Sequence, residues 1–140
     1  MLPLAGREAD IVGILTASTR PGTLLDDPRE RLPACVEQKI AWVCEGAGSR
    51  FPGFEPSLLP TIRVGDDPRK EAGLLIRERG WSQVTVEDVR AMPSLFLGSL
   101  EAIAERRVAA RRERYGFSCY VVSDRARDTV APLVARLAGR

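Results

Sequence analysis

Ala9-Asp10-Ile11-Val12-Gly13-Ile14-Leu15 is a short apolar, β-branched run, followed by the polar loop Thr16-Ala17-Ser18-Thr19. It is too short for a buried helix and predicts a strand covered on both faces, the kind found in parallel sheets. Two further runs, Pro56 to Val64 and Phe117 to Val122, have the same character, and helical pattern lies between all three. Strand, helix, strand, helix, strand is the sequence form of stacked βα units, so the predicted class is α/β.

Around that first strand the chain reads in order. Residues 2 to 9 predict the tail of a helix, and Thr16 to Pro28 a loop with turn chemistry at Thr19-Arg20-Pro21-Gly22. A long helix is predicted from about Pro28 to Gly46, with Leu32, Val36, Ile40 and Val43 as its apolar stripe. Pro60 interrupts the second strand and implies an edge or a bulge, because proline donates no ladder hydrogen bond. Asp66-Asp67-Pro68 opens a helix to about Arg79. Thr85-Val86-Glu87-Asp88 has the spacing of a capping box and predicts a short helix to Ala91. Ser99 is the predicted N-cap of the last long helix before Gly116, and Asp128 to Leu137 closes the chain as a helix.

Composition narrows the function classes. The chain has 140 residues, enough for one domain, and a net charge of +2, which makes no global electrostatic case for nucleic acid or an anionic membrane. Histidine is absent, which removes Ser-His-Asp catalysis and histidine metal sites. Cys35, Cys44 and Cys119 match no metal or redox spacing and read as unpaired thiols in a reducing compartment. No run approaches a membrane span and the N-terminus lacks the form of a signal peptide, so the expected location is cytoplasmic.

Several groups have chemical potential. Arg20, Arg63 and Arg125 each lie at or just beyond the carboxyl end of a predicted strand, where ligands bind in βα folds, and arginine suits phosphate. Thr16 to Thr19 offers hydroxyl donors at the end of the first strand. The acid pairs Asp26-Asp27 and Asp66-Asp67 precede prolines at helix starts and read as caps. The basic run from Arg106 to Arg114 has no interleaved aromatics and reads as a solvated helix face.

Three segments together resemble a known family. Leu4-Ala5-Gly6-Arg7-Glu8-Ala9-Asp10-Ile11-Val12-Gly13, Ser94-Leu95-Phe96-Leu97-Gly98-Ser99-Leu100-Glu101-Ala102-Ile103 and Arg112-Glu113-Arg114-Tyr115-Gly116-Phe117-Ser118-Cys119-Tyr120-Val121-Val122 resemble late segments of luciferase-like monooxygenases. The closest branch is the deazaflavin (coenzyme F-420)-dependent oxidoreductases. The resemblance implies the C-terminal portion of a (β/α)8 TIM-type barrel, about three βα units and therefore an incomplete barrel. Chain start would fall inside the barrel, as in a fragment or truncated product. It also implies FMN or deazaflavin coenzyme F-420 as cofactor and a small-molecule substrate. By the same resemblance Gly13, Ile14, Leu15, Thr16 and Ala17 line the cofactor pocket. No catalytic residue carries over. An incomplete barrel leaves unpaired edges, so self-association or a companion half-barrel is expected. The alternative from the residues themselves is a small non-catalytic α/β module that binds an anionic ligand or a protein partner.

Overall fold

The computed structural model describes residues 1–16 and 27–138. Its strands are β1 (Ile11–Ile14), β2 (Glu55–Leu58), β3 (Thr61–Val64), β4 (Leu95–Gly98) and β5 (Cys119–Tyr120). Its helices are α1 (Leu2–Glu8), α2 (Pro33–Ala47), α3 (Pro68–Arg79), α4 (Val86–Ala91), α5 (Leu100–Ala102), α6 (Val108–Tyr115) and α7 (Arg127–Leu137). A π-helical turn, Ile103–Arg107, joins α5 to α6. The class is α/β with small parallel sheets, neither of them closed.

The sheet departs from the sequence reading at Pro60. The run predicted as one strand is two, β2 and β3, separated by Leu59-Pro60. β2 lies between β1 and β5, while β3 pairs with β4, every pair parallel. Proline supplies no amide to a ladder, so pairing stops there and resumes with different neighbours. β4 was not predicted. Leu95-Phe96-Leu97 is too short to show a period, and Gly98-Ser99 reads as a helix start.

Cover also differs from expectation. In β1, Val12 and Ile14 are buried and Ile11 and Gly13 exposed. The helices pack on one face of that strand alone, so the predicted two-sided cover is found at β4, whose four residues are all buried. Leu95 and Leu97 join the cluster of Ala72 and Leu75 from α3, Val89 from α4 and Met92 just beyond it. Phe96, on the opposite face, joins Ile103, Ala104 and Leu133. A third cluster holds Val12, Ile14, Val36, Val43, Leu58 and Phe117, and sits under α1 and α2. The Phe96 and Tyr120 rings, 5.5 Å apart, link β4 to β5.

Local sequence explains most element ends. The helix predicted from Pro28 begins instead at Pro33, after a 3-10 turn over Pro28–Arg31. Leu32 precedes a proline and is held extended at φ −65°, ψ 153°, which interrupts helical backbone. The Thr85 and Asp88 capping box is present. The basic run is not wholly solvated: Arg111 is buried, and donates from Nε to the Pro93 carbonyl at 3.1 Å and from Nη2 to the Met92 carbonyl at 3.1 Å. Those carbonyls offset the desolvation of its charge and fasten α6 to the entry of β4. Arg114 is exposed and pairs with Glu37 at 2.7 Å.

Candidate functional site

Ligands of parallel βα folds bind beyond the carboxyl ends of the strands. At the end of β1, Ile14 is 3% exposed and points into the helix-covered core, while Leu15 is 65% exposed and Thr16 is buried. Gly13 lies on the bare face, where a Cβ would meet the Ser57 hydroxyl at 3.6 Å, an ordinary contact. Ala17 and Arg20 lie outside the described residues. Lys39, on α2, reaches this strand end. Its ammonium donates to the Leu15 carbonyl at 3.2 Å and stands 3.4 Å from Glu30. Helical packing brings Lys39 there across 24 residues of sequence, and nothing in the local pattern announces it.

The ends of β3 and β4 form a second corner. The Gly65 amide donates to the Gly98 carbonyl at 3.0 Å. Gly98 has φ +134°, a conformation open to glycine, and releases the chain into the turn where the Ser99 hydroxyl caps Ala102 at 3.2 Å. Asp67 caps α3 by accepting from the Arg69 amide at 2.8 Å, and Asp27 accepts from the Arg29 amide at 3.0 Å. Both acids therefore act as the predicted caps. Asp26 lies outside the described residues.

Arg63 is in β3 and makes a two-pronged pair with Glu78, one contact at 3.0 Å. Hydrogen bonding to Arg63 draws the Glu78 carboxyl below its ordinary range, and the same bond raises the Arg63 guanidinium. An anion at Arg63 would compete with that carboxylate. Arg125 lies in the 3-10 turn Asp124–Ala126, beyond β5. Of the two predicted arginines among the described residues, Arg63 is committed to α3 and Arg125 belongs to the β5–α7 connection.

The face of the first sheet turned away from the helices is a further feature of the described residues. Register aligns Ile11 with Glu55, Gly13 with Ser57, and Ser57 with Cys119. Alternation extends that row to Leu15, Leu59 and Val121. Ile11, Leu15, Leu59 and Val121 are 57%, 65%, 55% and 53% exposed, while Ser57 in the middle of the row is buried and Cys119 partly so. An apolar trough of about 620 Å³ adjoins the end of β5, between Val122 and the Val130 to Val134 side of α7. A cleft of about 430 Å³ lies on the helix side, over Phe117 and Tyr120. Cys35, Cys44 and Cys119 are free and partly buried, and burial pushes the Cys44 thiol up. Among the described residues no cluster of three acids or thiols could hold a metal, and no helix is long and apolar enough to cross a membrane.

No protein family, curated protein or solved structure matches the chain.

Proposed function

We propose that this chain is the late βα portion of a luciferase-like, flavin- or deazaflavin-dependent oxidoreductase, a C-terminal arc of a (β/α)8 barrel. The reading rests on the resemblance of three segments and on one structural observation. β1, β2 and β5 are parallel, yet the face bearing Ile11, Leu15, Leu59 and Val121 is bare. Parallel sheets are otherwise covered on both faces. A barrel arc has helices outside and its inner face turned to a lumen, which accounts for one-sided cover.

The residues present fit the cofactor's ring better than its phosphate. A flat, largely apolar ring suits the bare face, which has Gly13 open beside Ser57. For phosphate, Lys39 stands at the end of β1, and Ser99 stands beyond the end of β4, its hydroxyl already accepting from the Ala102 amide. The Glu71 side chain lies over Gly65 in that second corner and would have to move for an anion. When bound, FMN or coenzyme F-420 would supply the redox chemistry. This chain's part is to orient the ring, exclude water on the apolar face and hold the charged end. A cytoplasmic location belongs to the same reading.

A melt of the purified chain with FMN or coenzyme F-420 tests this. Saturation at about 100 times Kd stabilises a binding-competent fold by about 2.7 kcal/mol, so one cofactor is expected to raise Tm. A cooperative melt that ignores both sinks the reading. It would favour a non-catalytic module for an anion or protein partner, a reading supported by the three clusters already closed on the helix side.

A further inference from the structure

We infer that a second copy of this chain covers the bare face, in a dimer whose two-fold axis runs along the strands. Two independent observations meet here. First, β1 and β5 each pair with β2 alone, so among the described residues both outer edges of this sheet are unpaired. Second, the face between those edges carries four half-exposed aliphatic side chains, Ile11, Leu15, Leu59 and Val121. Among the described residues its charged member is Glu55, which accepts from the Ser118 hydroxyl at 3.2 Å.

The two edges are unlike and run in the same direction, and that selects the occupant. A two-fold axis parallel to the strands sets the β1 edge of one copy beside the β5 edge of its partner, and the reverse. Every new pair is then parallel and the assembly closes on itself. Pairing β1 with β1 would instead be antiparallel, and would leave both β5 edges and the apolar face in water. Among the described residues of the three strands, Glu55 is the charge that the face would bring to its own copy. Four aliphatic side chains of this exposure offer on the order of 400 Å² per copy, roughly 800 Å² for two, and the paired edges carry the total towards the roughly 1,200 Å² of small specific interfaces.

The inference rests on the half-barrel reading only in taking the bare face as inward. Sedimentation equilibrium of the full chain without cofactor tests it. The expected mass is twice 15.4 kDa. Leu15→Glu and Val121→Glu are each expected to weaken the dimer at least tenfold, because each places a charge on the buried face. Trp42→Ser, on the helix side, is expected to leave it unchanged. Val121→Thr serves if a glutamate variant loses its far-ultraviolet dichroism, and is expected to weaken the dimer in the same direction. A folded monomer at every concentration overturns the inference. So does a dimer that responds to Trp42→Ser and not to the face. A dimer indifferent to both cofactors would keep this inference and sink the oxidoreductase reading; a monomer stabilised by FMN would do the reverse.

Discussion

Gly46 and Gly6 show how much one missing carbon decides. A Cβ on Gly46 would overlap the Pro3 carbonyl, and one on Gly6 would overlap the Val43 carbonyl. Both obstacles are backbone, so the α1–α2 contact must open to relieve them. Gly46→Ala gains about 1 kcal/mol of helix propensity but incurs about 1–3 kcal/mol of overpacking, and the steric cost is expected to win. Gly73, mid-helix in α3, is the control, since its Cβ would meet only the Arg77 guanidinium at 3.9 Å. Gly73→Ala is expected to raise stability by about 0.5–1 kcal/mol. Urea melts of the two variants should move in opposite directions.

Tyr120 gives a second prediction at this scale. Burial pushes its phenol up to about 12, and the hydroxyl donates to the Phe117 carbonyl at 3.4 Å. The folded value exceeds the ordinary one near 10. Its stabilising contribution is therefore full below about pH 10 and is lost as pH rises through about 12, because the unfolded chain ionises first. Urea melts between pH 9 and 12 should show stability falling, with a shallower fall in Tyr120→Phe. An equal slope in the two proteins would mean the phenol is not shielded.

At the scale of elements, α4 depends on its start. Thr85 accepts from the Asp88 amide at 3.1 Å, and Asp88 accepts from the Thr85 amide at 2.8 Å. The Thr85 bonds, backbone first, hold the Asp88 carboxyl below its usual range. Thr85→Ala is expected to cost about 1 kcal/mol, read as a lowered urea midpoint with an unchanged slope. This cap was legible because its chemistry is confined to four consecutive residues. β4 was not, since Leu95-Phe96-Leu97 becomes a strand only through α3 and α4 on one side and α7 on the other. The π-helical turn at Ile103–Arg107 and the burial of Arg111 are likewise products of packing, and a charge pattern alone placed Arg111 in water.

At the scale of the molecule, the α/β class and the parallel sense of the strands followed from apolar runs alternating with helical pattern. The neighbours of each strand did not, because Pro60 divides one run between two sheets. Of the groups at the end of β1, the strand residues were legible in the sequence and the lysine was not. Gly13 to Ala17 are named as pocket lining by resemblance alone; Gly13 to Thr16 stand at the end of β1, Ala17 lies outside the described residues, and Lys39 reaches that strand end only through the tertiary fold.

The break at Pro60 also orders assembly in time. The three ladders on either side of it close loops of different length: Thr61 to Leu95 spans 34 residues, Ile11 to Glu55 spans 44, and Ser57 to Cys119 spans 62. Closure entropy grows only logarithmically, by about 0.6 kcal/mol per doubling, so the sequence of events is a bias of modest size. It favours β3 with β4 first, β1 with β2 next, and the two-residue β5 last. A nascent chain would then hold one side of β2 open until Cys119 and Tyr120 arrive, a delay during which that side is available to a strand from another molecule.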